Sequence, residues 1–131
     1  MNFQDKRALV IDDLRPMRIT LSNALQRLGF GKVFMEGDGQ AGLVALQNND
    51  IDVIICDIGM PKLDGWEVLR NVRQSPRYKN LPFMMVTGDC EKSTVVTAMA
   101  AGVDDFLMKP FTHEVFLKKV KGLFDKPRVV K

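Results

Sequence analysis

Five short apolar runs, each followed by a segment with helical spacing, constrain this chain more than any other feature. The runs are RALVI (7–11), KVFME (32–36), DVIIC (52–56), LPFMMV (81–86) and DDFLM (104–108). A strand exposed on one face alternates apolar and polar residues, whereas these runs are apolar nearly throughout and have to bury both faces. The first intervening segment, residues 14–29, places Met17, Leu21, Leu25 and Leu28 at helical spacing, with Pro16 in its first turn and Gly29 at its C-terminal cap. Asp38 opens a second helix, and Asp64 caps a third whose Val68, Leu69 and Val72 point inward. A fourth, residues 91–102, closes at Gly102. Thr112 caps a fifth whose apolar stripe is Val115, Phe116, Val120 and Leu123. Strand and helix alternating five times predict a parallel five-stranded sheet with right-handed crossovers and helices on both faces, a doubly wound α/β fold. In that architecture ligands bind beyond the carboxyl ends of the strands, so the chemistry belongs just after each apolar run.

With 131 residues, 46% of them apolar and 27% charged, the chain has the length and composition of one ordinary globular domain. No apolar run approaches the roughly 20 residues needed to cross a bilayer, and the start MNFQDKRALV lacks the apolar stretch of a secretory signal. A cytoplasmic location without membrane insertion is expected. Cys56 and Cys90 have no metal-binding spacing and read as free thiols. The net charge of +3 hints at nucleic acid only until it is located. Residues 118–131 hold six basic residues and one acidic, a local +5, which leaves −2 on residues 1–117. The expectation is a solvated end of the last helix and no nucleic-acid binding by the domain itself.

The first run ends in Asp12 and Asp13, the third in Asp57, the fourth in Thr87 and the fifth in Lys109. Each alone has an ordinary structural explanation, because Asp and Thr cap helices and Lys before Pro is common in loops. Together they bring three carboxylates, a hydroxyl and an ammonium to one edge of the sheet. Three clustered carboxylates repel one another unless a counter-charge intervenes. A hard divalent cation removes the conflict, and Mg²⁺, with two direct carboxylates, a backbone carbonyl and several waters, fits oxygen donors better than zinc or copper does. The single histidine, His113, reads as a surface residue of the last helix. Metal, ammonium and hydroxyl are also what a phosphoryl group needs, and Asp57, at the end of the central strand, is the candidate nucleophile.

The set Asp12-Asp13, Asp57 with MP at 60–61 and DG at 64–65, Thr87 with Gly88, and KPF at 109–111 resembles the receiver domains of two-component response regulators. The likeness runs from residue 5 to about residue 125 and is closest to the stand-alone CheY-like type. It implies a flavodoxin-like, CheY-like sheet with strand order 2-1-3-4-5 and residues 1–131 as a single receiver domain. It further implies that Asp57 accepts a phosphoryl group from a sensor histidine kinase or a histidine phosphotransfer protein. Asp13, Asp57 and the carbonyl of Gly59 would bind Mg²⁺ directly, Asp12 would hold a metal-bound water, and Thr87 and Lys109 would contact the phosphoryl oxygens. The Lys109–Pro110 peptide would be cis.

The same resemblance marks Thr87 and Phe106 as switch residues that reshape the surface of the fourth helix, fifth strand and fifth helix for a downstream effector protein, with the chain as a monomer. Such a chain is a switch rather than a turnover enzyme, although it catalyses its own phosphotransfer and hydrolysis, and chemotaxis is one pathway it would serve. Gly59 and Asp89 flank the path of the hydrolytic water and would set the lifetime of the phosphorylated state. Phe106 stands where chemotaxis receivers usually have tyrosine, keeping the ring without the hydroxyl. Two other classes remain at this stage: an interaction domain that keeps the fold without phosphoryl transfer, and a metal-dependent phosphatase. The first would normally lose an acidic residue or the lysine, and the second wants a carboxylate where Gly59 stands.

Overall fold

Alternation of side chains across the strands explains why the inner runs are apolar on both faces, whereas the run 32–36, expected to be buried on both faces, lies at the edge of the sheet and holds no buried residue. In the structure, a computed structural model that describes residues 2–88 and 91–125, the strands are β1 (Arg7–Ile11), β2 (Lys32–Glu36), β3 (Val53–Cys56), β4 (Phe83–Thr87) and β5 (Asp105–Met108). The helices that alternate with them are α1 (Arg15–Leu28), α2 (Gly39–Asn48), α3 (Gly65–Gln74), α4 (Lys92–Ala101) and α5 (His113–Asp125). All strand pairs are parallel, in the order β2-β1-β3-β4-β5. Ala8, Val10, Val53, Ile55, Met84, Val86 and Leu107 turn to one face and pack with Leu21, Leu25, Phe116, Val120 and Leu123 of α1 and α5. Leu9, Ile11, Ile54, Cys56, Phe83, Met85 and Phe106 turn to the other and pack with Leu46, Val68, Leu69, Val72 and Ala98 of α2, α3 and α4. Each large side chain so buried contributes about 1.5–3 kcal/mol.

Local signals locate the helix ends. The Asp38 carboxylate accepts a hydrogen bond from the Ala41 amide, Asp64 from Glu67 and Thr112 from Val115, so all three expected caps are present. Gly29 and Gly102 close α1 and α4 in the left-handed region, with φ of 108° and 101°. Several expectations shift, and β5 begins at Asp105, one residue later than read. β3 starts one residue later than read, because the Asp52 carboxylate accepts a hydrogen bond from the Arg7 amide at 2.8 Å. β4 runs from Phe83 to Thr87, so Pro82 precedes it and Thr87 is its last residue. Val115 does not belong to the inward stripe of α5: it is 43% exposed, since Phe116, Val120 and Leu123 already turn the inward arc of the helix to the sheet.

Away from the strand ends, Arg73 of α3 ties distant segments together. Its guanidinium donates to the carbonyls of Gly102 and Leu81, both at 2.8 Å, and pairs with the Asp104 carboxylate at 3.0 Å. Asp104 in turn accepts from the Phe83 amide. Among the described residues no helix is long and apolar enough to cross a membrane. Asp89, Cys90 and the basic residues of 126–131 lie outside the described residues.

Candidate functional site

Strand register assembles the site. Ile11 is paired with Cys56, and the Asp57 amide donates to the Ile11 carbonyl at 2.9 Å, so Asp12 and Asp57 leave adjacent strands side by side. On the other flank Thr87 is paired with Met108, and the Lys109 amide donates to the Thr87 carbonyl at 2.8 Å. The Lys109–Pro110 peptide is cis.

Carboxylate oxygens of Asp12, Asp13 and Asp57 all lie within 4.8 Å of one another. Their surroundings differ sharply. Asp12 is 1% exposed, and its oxygens accept from the Leu14 amide at 2.9 Å and the Lys109 ammonium at 2.8 Å. Asp57 is 8% exposed; one oxygen accepts from the Ile58 amide at 2.7 Å and the other faces the Lys109 Nζ at 3.4 Å. Asp13 is exposed. Lys109 is therefore anchored by Asp12 and extended toward Asp57.

Burial raises the Asp57 pKa above the ordinary carboxylate value, with the Asp12 charge adding to it, although Lys109 and the Ile58 amide pull the other way. Burial by itself would lower the Lys109 pKa, but the hydrogen bond and charge of Asp12, with the charge of Asp57, leave it raised. One ammonium thus pairs with two of the three carboxylates, Asp12 and Asp57, and the cluster retains an excess of negative charge. The donors are all oxygens. The neighbouring Cys56 thiol is no ligand, since it donates to the Asp57 carbonyl, and burial followed by the charges of Asp57, Asp12 and Asp64 pushes its pKa well up. A small, hard divalent cation fits this donor set.

These carboxylates and the lysine, at the carboxyl end of a 2-1-3-4-5 parallel sheet, set the expectation that comparison with known proteins decides. Residues 8–121 match the family profile described as the response regulator receiver domain. The chain belongs to this family. Among its relatives, the chemotaxis protein CheY of Pseudomonas aeruginosa is 34% identical over 120 residues, covering 92% of this chain and 97% of the relative. Among solved structures, the chemotaxis response regulator CheY4 of Vibrio cholerae superposes with a TM-score of 0.84 at 32% identity, over 90% of this chain and 98% of that one. A CheX–CheY–BeF3–Mg complex from Borrelia burgdorferi gives 0.86 at 26% identity, over 92% and 90%. This receiver is accordingly a two-component signalling domain of the switch type.

Three of the other expected site residues are among those the structure describes. Thr87 is buried at the end of β4, and Gly59 is exposed in the loop after β3. A Cβ at Gly59 would meet nothing within 4 Å, so neither space nor φ requires glycine there. Phe106, 9% exposed, turns its ring into the core beneath α4. Asp89 lies outside the described residues.

Two residues of the site escape a reading of the sequence alone. Gly65 is one: a Cβ there would overlap the Asp57 carbonyl and Ile58 Cα, so only glycine lets the start of α3 pack against the backbone of Asp57. The signal was the DG pair, but its reason lies in that contact. The other is Arg18, whose Nη1 donates to the Asp12 carbonyl at 2.7 Å. Beside the site, a groove of about 920 Å³ runs between α4, β5 and α5, with Val95, Met99, Phe106, Met108, Phe111 and Val115 among its walls. Asp105 and Lys119 on its border pair with each other at 3.0 Å.

Proposed function

We propose that this receiver takes a phosphoryl group from a phosphohistidine of a sensor histidine kinase or histidine phosphotransfer protein onto Asp57, and that the event alters the groove of α4, β5 and α5 for an effector protein. The observation that carries the reading is the Asp57 carboxylate, held at the end of the central strand with the Lys109 ammonium 3.4 Å from its oxygen. Asp13, Asp57 and the Gly59 carbonyl would hold Mg²⁺, with Asp12 acting through a water. Bound there, the ion would neutralise charge on the cluster and on the phosphoryl oxygens. In the transfer the Asp57 oxygen forms the new O–P bond, and the P–N bond breaks toward the imidazole, which leaves with the electron pair. Lys109, anchored by Asp12 and also paired with Asp57, offers its charge to the phosphoryl oxygens. Thr87 donates a hydrogen bond from the neighbouring strand end. Gly59 leaves the path of the hydrolytic water open on its side, and Asp89 is placed by its position in sequence to act on the other.

A phosphoryl group adds about −1.5 to −2 charges and three acceptor oxygens, enough to draw Thr87 toward it. That movement vacates space behind β4, next to the ring of Phe106. An apolar ring needs no hydrogen-bond partner in the core, which supports an inward Phe106 even without phosphoryl and a lowered contrast between off and on. The effector then reads apolar groove surface rather than a tyrosyl hydroxyl. The relatives' names make chemotaxis the first pathway to test.

Incubation with acetyl phosphate and Mg²⁺ tests the central step. Intact-mass analysis should show one phosphoryl group on the wild type and none on Asp57→Asn. Labelling that survives in Asp57→Asn but disappears in Asp13→Asn would assign the nucleophile to the wrong carboxylate.

A further inference from the structure

The Asp13 carboxylate has no hydrogen bond or ion pair among the described residues, yet it lies within 4.8 Å of the buried carboxylates of Asp12 and Asp57. Its placement therefore follows from the backbone that bears it. That backbone is held through Asp12. The Asp12 amide donates to the Glu36 carbonyl at 3.1 Å, and its carboxylate is occupied by Leu14 and Lys109. The carbonyl that forms the Asp12–Asp13 peptide accepts from Arg18 Nη1 at 2.7 Å. We infer that Arg18 is a positioning residue for the metal site, fixing this peptide so that Asp13 completes the carboxylate cluster.

Two features of the fold support the assignment. Arg18 sits in the first turn of α1, with its amide bonded to the Leu14 carbonyl at 3.0 Å, so its guanidinium reaches back across the loop from a rigid base. Opposite it, Gly37 after β2 has no left-handed φ, and its backbone would accept other residues. A Cβ there, however, would stand 3.1 Å from Arg18 Nη1. The missing side chain gives the guanidinium its room.

The inference rests on the reading of the cluster as a Mg²⁺ site, and charge makes it separable from a purely electrostatic role. A guanidinium near the site repels a cation, so removing it for its charge alone would tighten Mg²⁺ binding. Removing it as a positioning group loosens binding, by about tenfold in dissociation constant for a supporting contact of this kind. Calorimetric titration of Mg²⁺ into the wild type, Arg18→Met, Arg18→Lys and Gly37→Val decides the sign, with apo melting curves recorded for each. The expected result is about tenfold weaker binding in Arg18→Met, partial recovery in Arg18→Lys, and weakening in Gly37→Val with the cation still present. If Arg18→Met does not fold, Gly37→Val decides: weakened binding supports the inference and unchanged binding overturns it. Wild-type binding matched or exceeded by Arg18→Met overturns the inference alone, whereas a wild type that binds no Mg²⁺ overturns the metal reading with it.

Discussion

Asp57 is held against its own preference. A carboxylate whose folded-state pKa is raised favours the fold while protonated, below the ordinary carboxylate value, and loses that contribution as pH rises through the raised value. At neutral pH the ionised Asp57 therefore costs the metal-free protein stability. Asp57→Asn should raise the apo melting temperature at neutral pH by a few degrees, on the order of 1 kcal/mol. The gain should shrink as pH falls from about 7 to about 4. Urea melts of both proteins across that range check it, and a gain that grows toward acid would reverse the assignment. Lys109 has the opposite effect, since Asp12 is buried beneath it with a 2.8 Å contact. Lys109→Met leaves a buried carboxylate without its counter-charge and should cost about 3 kcal/mol or more in urea denaturation. A loss below about 1 kcal/mol, the level of an exposed pair, would show that the ammonium is not structurally engaged.

At the scale of elements, two glycines that look equivalent in sequence have different jobs. Gly65 begins α3 against the Asp57 backbone and its amide donates to the Ile58 carbonyl at 2.7 Å, whereas Gly59 faces open space. Gly65→Ala should overpack this contact, destabilise by about 1–3 kcal/mol and slow labelling of Asp57 by moving its strand end. Gly59→Ala should stay within about 0.5 kcal/mol of wild type. Thermal melts and labelling rates of the two variants side by side check the contrast, and equal effects would mean that α3 does not brace the nucleophile. α4 is the lightly held element. Ala98 is its one buried residue, while Val96 and Met99 are exposed, so its outer surface can adjust with little loss of core packing.

For the whole molecule, the site is a trade of stability for chemistry. The two faces of the sheet are closed by apolar packing, and the charge conflict is confined to one edge. A ligand that relieves it stabilises the entire fold by RT ln(1 + [L]/Kd). Mg²⁺ at about ten times its dissociation constant should add ~1.4 kcal/mol, a rise of several degrees in melting temperature. Asp13→Asn should abolish most of that rise. Differential scanning calorimetry with and without millimolar Mg²⁺ checks it, and a melting temperature indifferent to the ion would remove the metal from the site.

Sequence alone determined the strands, the helix caps and the edge of the sheet on which Asp12, Asp13, Asp57, Thr87 and Lys109 stand. Those follow from local periodicity, from capping chemistry and from the topology that parallel buried strands impose. Only the tertiary structure decided which of the paired aspartates is buried against Lys109 and which faces solvent, because strand register sets that choice. It also decided that Val115 looks into the groove rather than the core. Gly65 and Arg73 were illegible for a related reason. The Gly65 contact needs the chain to fold back on Asp57, and the Arg73 partners Gly102 and Asp104 lie 29 and 31 residues away in sequence. Local pattern records how a residue relates to its neighbours along the chain; close packing in space is settled only when the elements dock.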